Sequence, residues 1–176
     1  QLYHQGYKGK IISCTLDYYD EIIAKTSREF VDGTIFQFPD FDDPALNDSG
    51  VNFPNPGDFD AKYRAAHPND WSAVSWEYPA ILLNWLEGAK AAGSVDPTAV
   101  LKALRSSKTP EFVFGGGQWW GSQLWGLDNA VVGRWPVVVV ENGKARIQEY
   151  RSVSGWLEKN KDVLIKHMKE LGLRTV

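Results

Sequence analysis

The chain has 176 residues, with 22 Asp and Glu against 19 Lys and Arg and a formal net charge of −3. Its 43% hydrophobic and 23% charged content is that of a soluble, folded protein with enough length to bury a core, not of a disordered or fibrous one. The acidic balance excludes the clustered Lys/Arg excess of a nucleic-acid surface, and the longest apolar runs, around Ala80–Leu83 and Pro136–Val140, are far too short to cross a bilayer.

Gln1–Gln5 reads as the last turn of a helix closed by Gly6. The chain is therefore expected to open inside an element, with any targeting segment upstream. Lys8–Ser13, carrying Ile11 and Ile12, is expected as a strand entering a turn at Cys14-Thr15. Cys14 is the single cysteine; it supports neither a disulfide nor a Cys-based zinc site and is expected as a small buried residue. A helix follows, capped by Asp17, with Tyr19, Ile22, Ile23, Thr26 and Phe30 at helical spacing and Gly33 as its stop. Thr34–Phe38 is the next strand, ended by Pro39, so one α/β crossover unit occupies about thirty residues. From Pro39 to Gly57 the composition shifts to Pro, Asp, Asn and Gly, which predicts a long exposed connection and a boundary between lobes.

Three helices come next. Asp58–His67 sets Phe59 and Tyr63 at i, i+4. The second opens at Tyr78-Pro79 with Pro as first helical residue, aligns Tyr78, Ile81, Leu82, Trp85, Leu86 and Ala89, and stops at Gly93. The third has Asp96 as cap and Pro97 at its first position, with Val100, Leu101 and Leu104 expected in the core. Glu111–Phe114 is a short strand running into Gly115–Gly117 and a cluster of Trp119, Trp120, Trp125 and Trp135. Trp135–Val140 and Lys144–Tyr150 flank Asn142-Gly143, a strong hairpin signal. Gly155–Leu173 is an amphipathic helix expected to turn Leu157, Leu164, Met168 and Leu171 inward.

No catalytic constellation stands out. His4, His67 and His167 are scattered and read as surface residues, and no nucleophile elbow, H-E-x-x-H pair or phosphate loop occurs. Gly115-Gly116-Gly117 lacks the Lys and Ser/Thr of a phosphate cradle. Asp40, Asp42 and Asp43 share only their charge with a calcium loop, since Pro44 and a missing later Glu break the pattern. No enzyme activity, metal or cofactor is expected. Two element junctions carry more information. Thr15, Asp17 and Tyr18 lie where a strand passes into a helix, the edge that faces ligand in open α/β folds, and helix N–H groups there suit an anionic group; the alternative is that Asp17 only caps. Trp76-Glu77-Tyr78 flanks an acid with two aromatics, a set suited to an ammonium; the alternative is two core aromatics with a first-turn acid.

Four stretches, in this order, carry a family resemblance: Gln5-Gly6-Tyr7-Lys8-Gly9-Lys10-Ile11-Ile12, Phe30-Val31-Asp32-Gly33-Thr34, the helix from Trp76-Glu77-Tyr78-Pro79-Ala80 to Ala89-Lys90-Ala91-Ala92-Gly93-Ser94, and Trp135-Pro136-Val137-Val138 followed by Glu141-Asn142-Gly143-Lys144. The sequence resembles the C-terminal half of the leucine/isoleucine/valine-binding proteins of ABC transporters. That resemblance implies an α/β type I periplasmic-binding-protein fold whose C-terminal portion contributes to both lobes. Residues 1–45 would be a lobe-two α/β segment, 58–108 lobe-one helices, 109–150 the hinge return and lobe-two strands, and 151–176 the C-terminal helix. It further implies a solute-binding component that traps an amino acid or related small compound between its lobes and passes it to a membrane permease. Its place would be periplasmic or extracellular, lipid-anchored in a Gram-positive source.

The family's acid for the ligand ammonium falls near Thr15, with Asp17 two residues on, and its lobe-one aromatic falls on Tyr78. The missing acid points to an aromatic or amide solute in place of an ordinary amino acid. The groups that hold the ligand carboxylate lie upstream of Gln1 in that family, so weak or no solute binding is expected of this chain alone. Self-association through the uncovered faces of Ser72–Ala92 and Pro97–Ser106 is expected with it. Two other readings are a ligand-sensing receptor domain and an aromatic-rich carbohydrate-binding module; the latter requires Trp119, Trp120 and Trp125 aligned on an exposed face.

Overall fold

The structure, a computed structural model, describes residues 1–14, 16, 18–47, 56–68, 77–106, 111–112 and 114–173, with side chains at all of these except 77–80 and 111–112. The elements in order are α1 (Tyr19–Lys25), α2 (Arg28–Val31), β1 (Ile35–Phe36), a short 3-10 helix (Pro44–Asn47), α3 (Pro56–Ala66), α4 (Glu77–Ala92), α5 (Pro97–Ser106), β2 (Glu111–Phe112), β3 (Gly115–Gly116), β4 (Gln118–Trp120), α6 (Ser122–Trp125), β5 (Ala130–Val132), β6 (Arg134–Glu141), β7 (Lys144–Ser152) and α7 (Val153–Glu170). The chain divides into two compact units, one of Gln1–Tyr78 with Pro136–Arg151 and one of Pro79–Trp135 with Ser152–Val176.

In the first unit the crossover forms around two β-branched pairs. Ile12 bridges Ile35 in parallel, with Ser13 N donating to Ile35 O and Ile35 N to Ile11 O, both at 3.0 Å. β1 pairs antiparallel with β6, Ile35 opposite Val139 and Phe36 opposite Val138, and the sheet order is β1-β6-β7. The β6–β7 turn places Asn142 and Gly143 at φ 51° and 72°, the double left-handed geometry that Asn-Gly adopts most readily. Along β6 every second residue, Pro136, Val138 and Val140, is buried, the period of a strand with one core face.

Two expectations fail here for local reasons. The helix predicted from Asp17 to Phe30 is two helices: the Thr26 hydroxyl donates back to Ile22 O at 2.5 Å, and the Ser27 hydroxyl caps α2 by accepting from Phe30 N at 3.2 Å. Such hydroxyls compete with the helical ladder, which apolar spacing cannot register. The predicted exposed connection after Pro39 is also corrected over its described part, because Phe38, Pro39, Phe41, Asp43 and Leu46 are buried. Carboxylates make this burial tolerable by accepting from backbone amides. Asp43 takes Ala45 N at 2.8 Å and Ile147 N at 2.6 Å, and Asp40 takes Ala145 N at 3.1 Å. α3 adds Phe59, whose ring lies 6.0 Å from Phe41 and 6.0 Å from Tyr63.

The second unit pairs β2 with β3 and β4 with β5 in antiparallel two-stranded sheets. Pro79 is the third residue of α4, not the first, at a position whose N–H has no intrahelical acceptor in any case. α4 and α5 approach at Gly88, where a Cβ would come within 2.6 Å of Leu104 Cγ. Asp96 caps α5 by accepting from Ala99 N at 2.9 Å. Val100 is buried, but Leu101 is 46% exposed, because adjacent helical residues point about 100° apart and one cannot share the other's face. Ile81, Leu82, Leu83, Trp85 and Leu86 of α4 are exposed as well.

The tryptophans supply much of this unit's order. Trp120 is 2% exposed, and its indole N–H donates to Glu158 at 3.0 Å. Trp119 is half-buried and donates to Leu104 O at 3.0 Å. Trp125 donates to Asn129 at 2.7 Å and stands edge-on to Trp120 with centroids 5.6 Å apart. The three do not line up on one exposed face, as a carbohydrate-stacking platform requires. Ser152 caps α7 by accepting from Gly155 N at 2.9 Å. Leu157, Leu164 and Met168 are half-buried; Leu171, expected inward, lies past the helix end and is exposed.

Candidate functional site

The strand expected over Lys8–Ser13 is reduced to a single parallel bridge of Ile12 to Ile35. Where that bridge and β1 end, the backbone ends and following turns form a polar edge, the position that faces ligand in open α/β folds. The groups described on it are Cys14, Tyr18 and Gln37. Gln37 Nε2 donates to Cys14 Sγ at 3.4 Å, joining the two strand ends. Cys14 is exposed, not buried as its residue type suggested, since the backbone pairing with β1 ends at Ser13 N to Ile35 O and the thiol follows it. Tyr18 is the N-cap of α1, makes no side-chain cap bond, and is 48% exposed. These groups are a primary amide, a thiol and a phenol, all neutral hydrogen-bonding partners. Asp20 and Glu21 occupy the first turn of α1, and Asp20 accepts from Glu21 N at 2.9 Å, so the positive helix end already faces two acids.

Behind this edge the start of α1 is held by a polar cluster. The Tyr19 hydroxyl lies 2.7 Å from both Asp40 carboxylate oxygens, and its ring packs against Phe36 at 6.2 Å. Burial, then the Asp40 carboxylate, pushes the Tyr19 phenol far above its usual range, so it remains a donor at any ordinary pH. Burial also raises the Asp40 carboxyl, against the opposing bonds from Tyr19, Ala145 and Arg146. Asp42, in contrast, is held below the usual carboxylate range by the Arg146 guanidinium at 2.8 Å and Lys144 at 3.2 Å.

Of the residues singled out in the sequence, Tyr18 is placed at the strand-end edge. Thr15, Asp17 and Trp76 lie outside the described residues. Glu77 and Tyr78 form the first turn of α4. Gln37 was missed. Its signal is positional: it directly follows β1, and the residue leaving a parallel strand belongs to the ligand edge. Among the described residues no group of three or more His, Cys, Asp or Glu is arranged to hold a metal ion. His4, His67 and His167 are exposed. A cavity of ≈ 320 Å³ in the first unit is lined by Leu2, Ile11, Leu16, Ile22, Phe30 and Val31 among others, and none of its lining residues is charged.

A profile of the periplasmic binding protein family matches residues 1–145. The fold is similar to that of a leucine binding protein, LivK, from Thermotoga maritima, with a TM-score of 0.55 at 16% identity over 86% of this chain and 40% of that one. The chain thus spans well under half the length of that relative. No curated protein matches the sequence. The Ile12–Ile35 bridge, β1, β6 and the Asn142-Gly143 turn fall within the matched residues, whereas most of β7 lies beyond them, and the α/β architecture is of the type I kind. By that match over most of its length, the chain belongs to the periplasmic binding protein family.

Proposed function

We propose that this chain is part of the solute-binding component of an ABC transporter, which captures an amino acid or a related small, aromatic compound for delivery to a membrane permease. The observation that carries the reading is the strand-end edge of Cys14, Tyr18 and Gln37 in a chain of this family. Thr15, Asp17, Tyr18, Trp76, Glu77 and Tyr78 are the residues proposed to meet the solute. Cys14, Tyr18 and Gln37 offer hydrogen bonds, and Thr15 stands where the resemblance places the family's acid, which supports an aromatic or amide solute, while Asp17 and Glu77 keep a carboxylate partner for an ammonium in the proposed set. A periplasmic or extracellular place, with a lipid anchor in a Gram-positive source, follows from the same reading.

A thermal-shift screen of the full-length natural protein against amino acids, aromatic acids and amides tests it. A compound present at a hundred times its Kd stabilises the folded form by about 2.7 kcal/mol, a shift of several degrees. One chemical class is expected to give that shift. Silence across all three classes would contradict the reading.

The exposed apolar residues Ile81, Leu82, Leu83, Trp85 and Leu86 on α4 favour self-association of the 176-residue chain, because exposed apolar side chains grouped on one helix gain by burial against a partner. Light scattering after gel filtration is expected to give more than one chain per particle, and Leu82→Glu with Leu86→Glu to return it to monomer. A monodisperse wild-type monomer would exclude this contact.

A further inference from the structure

We propose that Tyr19 and Asp40 form a positioning pair that holds the entry to α1, the turn closed by Tyr19 N on Leu16 O, in place. That the turn faces solute rests on the function proposed above; that the pair holds it does not. Its N-cap residue, Tyr18, makes no side-chain cap bond, and α1 has seven residues, too few to be stable through its own ladder. Only two backbone bonds described at the junction close it, Tyr19 N to Leu16 O at 3.1 Å and Ile22 N to Tyr18 O at 3.2 Å.

Tyr19 is the first residue of α1 and reaches away from the turn into the body of the unit. Its phenol donates to Asp40, and Asp40 is itself fixed at three further points. Its carboxylate accepts from Ala145 N at 3.1 Å and from Arg146 at 3.4 Å, and its own N–H donates to Ala145 O at 3.1 Å. The turn is thereby tied to the start of β7, the strand that the Asn-Gly hairpin sets firmly against β6. A hydrogen bond from a neutral phenol to a carboxylate in a half-buried site is a strong link. It also keeps its protonation across ordinary pH, because both burial and the Asp40 charge keep the phenol neutral. Tyr18 and Gln37 would then present their polar groups from a fixed backbone, which lowers the ordering cost of binding.

Amide hydrogen exchange on the full-length protein, read by mass spectrometry without any solute, tests this directly. In Tyr19→Phe, peptides covering residues 16–25 are expected to exchange about tenfold faster, while peptides from β6 and α7 keep their wild-type rates. Asp40→Asn, whose amide can still accept from the phenol, is expected to give a smaller acceleration in the same peptides. Unchanged exchange over 16–25 in Tyr19→Phe would overturn the proposal. So would an equal acceleration in β6, which would mark Tyr19 as general support for the unit rather than a hold on the turn. Because no ligand enters the measurement, its result stands whether or not the solute reading does.

Discussion

Trp120→Ala is expected to lower the stability of the chain by about 3–5 kcal/mol, the cost of truncating a fully buried large aromatic. Trp120 is 2% exposed, and its ring supports the edge of Trp125. Its removal leaves a cavity that the short β4–β5 ladder and the single turn of α6 have little means to close. For a chain of this length, each kcal/mol corresponds to about 2–4 °C of melting temperature, so a fall of roughly 6–20 °C is expected by thermal denaturation. Trp125→Ala should cost much less, about 1–2 kcal/mol, since that ring is partly exposed and contributes mainly an aromatic contact and one hydrogen bond to Asn129. If the tryptophans were instead a stacking surface for a sugar, truncating Trp120 would leave the melting temperature nearly unchanged. That outcome would reverse the assignment of the cluster to the core of the second unit.

The second large effect is expected at Asp43. The residue is 4% exposed and sits at the head of the 3-10 helix, where its carboxylate accepts from Ala45 N and from Ile147 N on β7. Asp43→Ala strands two amides in a site that water reaches poorly. Each hydrogen bond to a charged acceptor is worth about 1.5–3 kcal/mol. Non-additivity and partial solvation reduce the sum, and a loss of about 3 kcal/mol is expected in urea denaturation. Asp43→Asn keeps one carbonyl acceptor and should lose about half as much. Equal and small losses for the two variants would show that these amides find other partners and that the segment is as loosely held as its composition suggests.

The Asp-rich segment also shows what the sequence could and could not convey. Periodicity treats a carboxylate as a surface mark, so Asp40, Asp42 and Asp43 beside Pro39 and Pro44 read as an exposed connection. Their partners are Ala145, Arg146 and Ile147, about a hundred residues away, and no local pattern announces that pairing. Local chemistry was readable where it decides the outcome by itself. Asn142-Gly143 determines its own turn, Asp96-Pro97 starts α5, and alternate residues of β6 turn inward. The break at Thr26-Ser27 was legible in principle, because two hydroxyl residues in a row compete with a helix, yet the apolar spacing across it masked the signal. At the candidate site, α1 follows the Ile12–Ile35 bridge in the expected order, although the strand expected over Lys8–Ser13 is reduced to that bridge, whereas Gln37 reaching Cys14 is a tertiary contact. Leu101 and the apolar residues of α4 expose the converse limit. An apolar stripe states that a face is suited to burial, not that the chain in hand supplies what covers it.

Titration calorimetry of the full-length natural protein with the best compound from the stability screen, comparing wild type with Tyr18→Ala, tests most directly that the edge at the strand ends serves a small solute. Saturable binding of one solute per protein is expected, with affinity reduced by tenfold or more in the variant, the loss of about 1.4 kcal/mol or more that removal of an aromatic contact produces. Equal affinity in the two proteins, or no saturable heat with any member of the three compound classes, would contradict it.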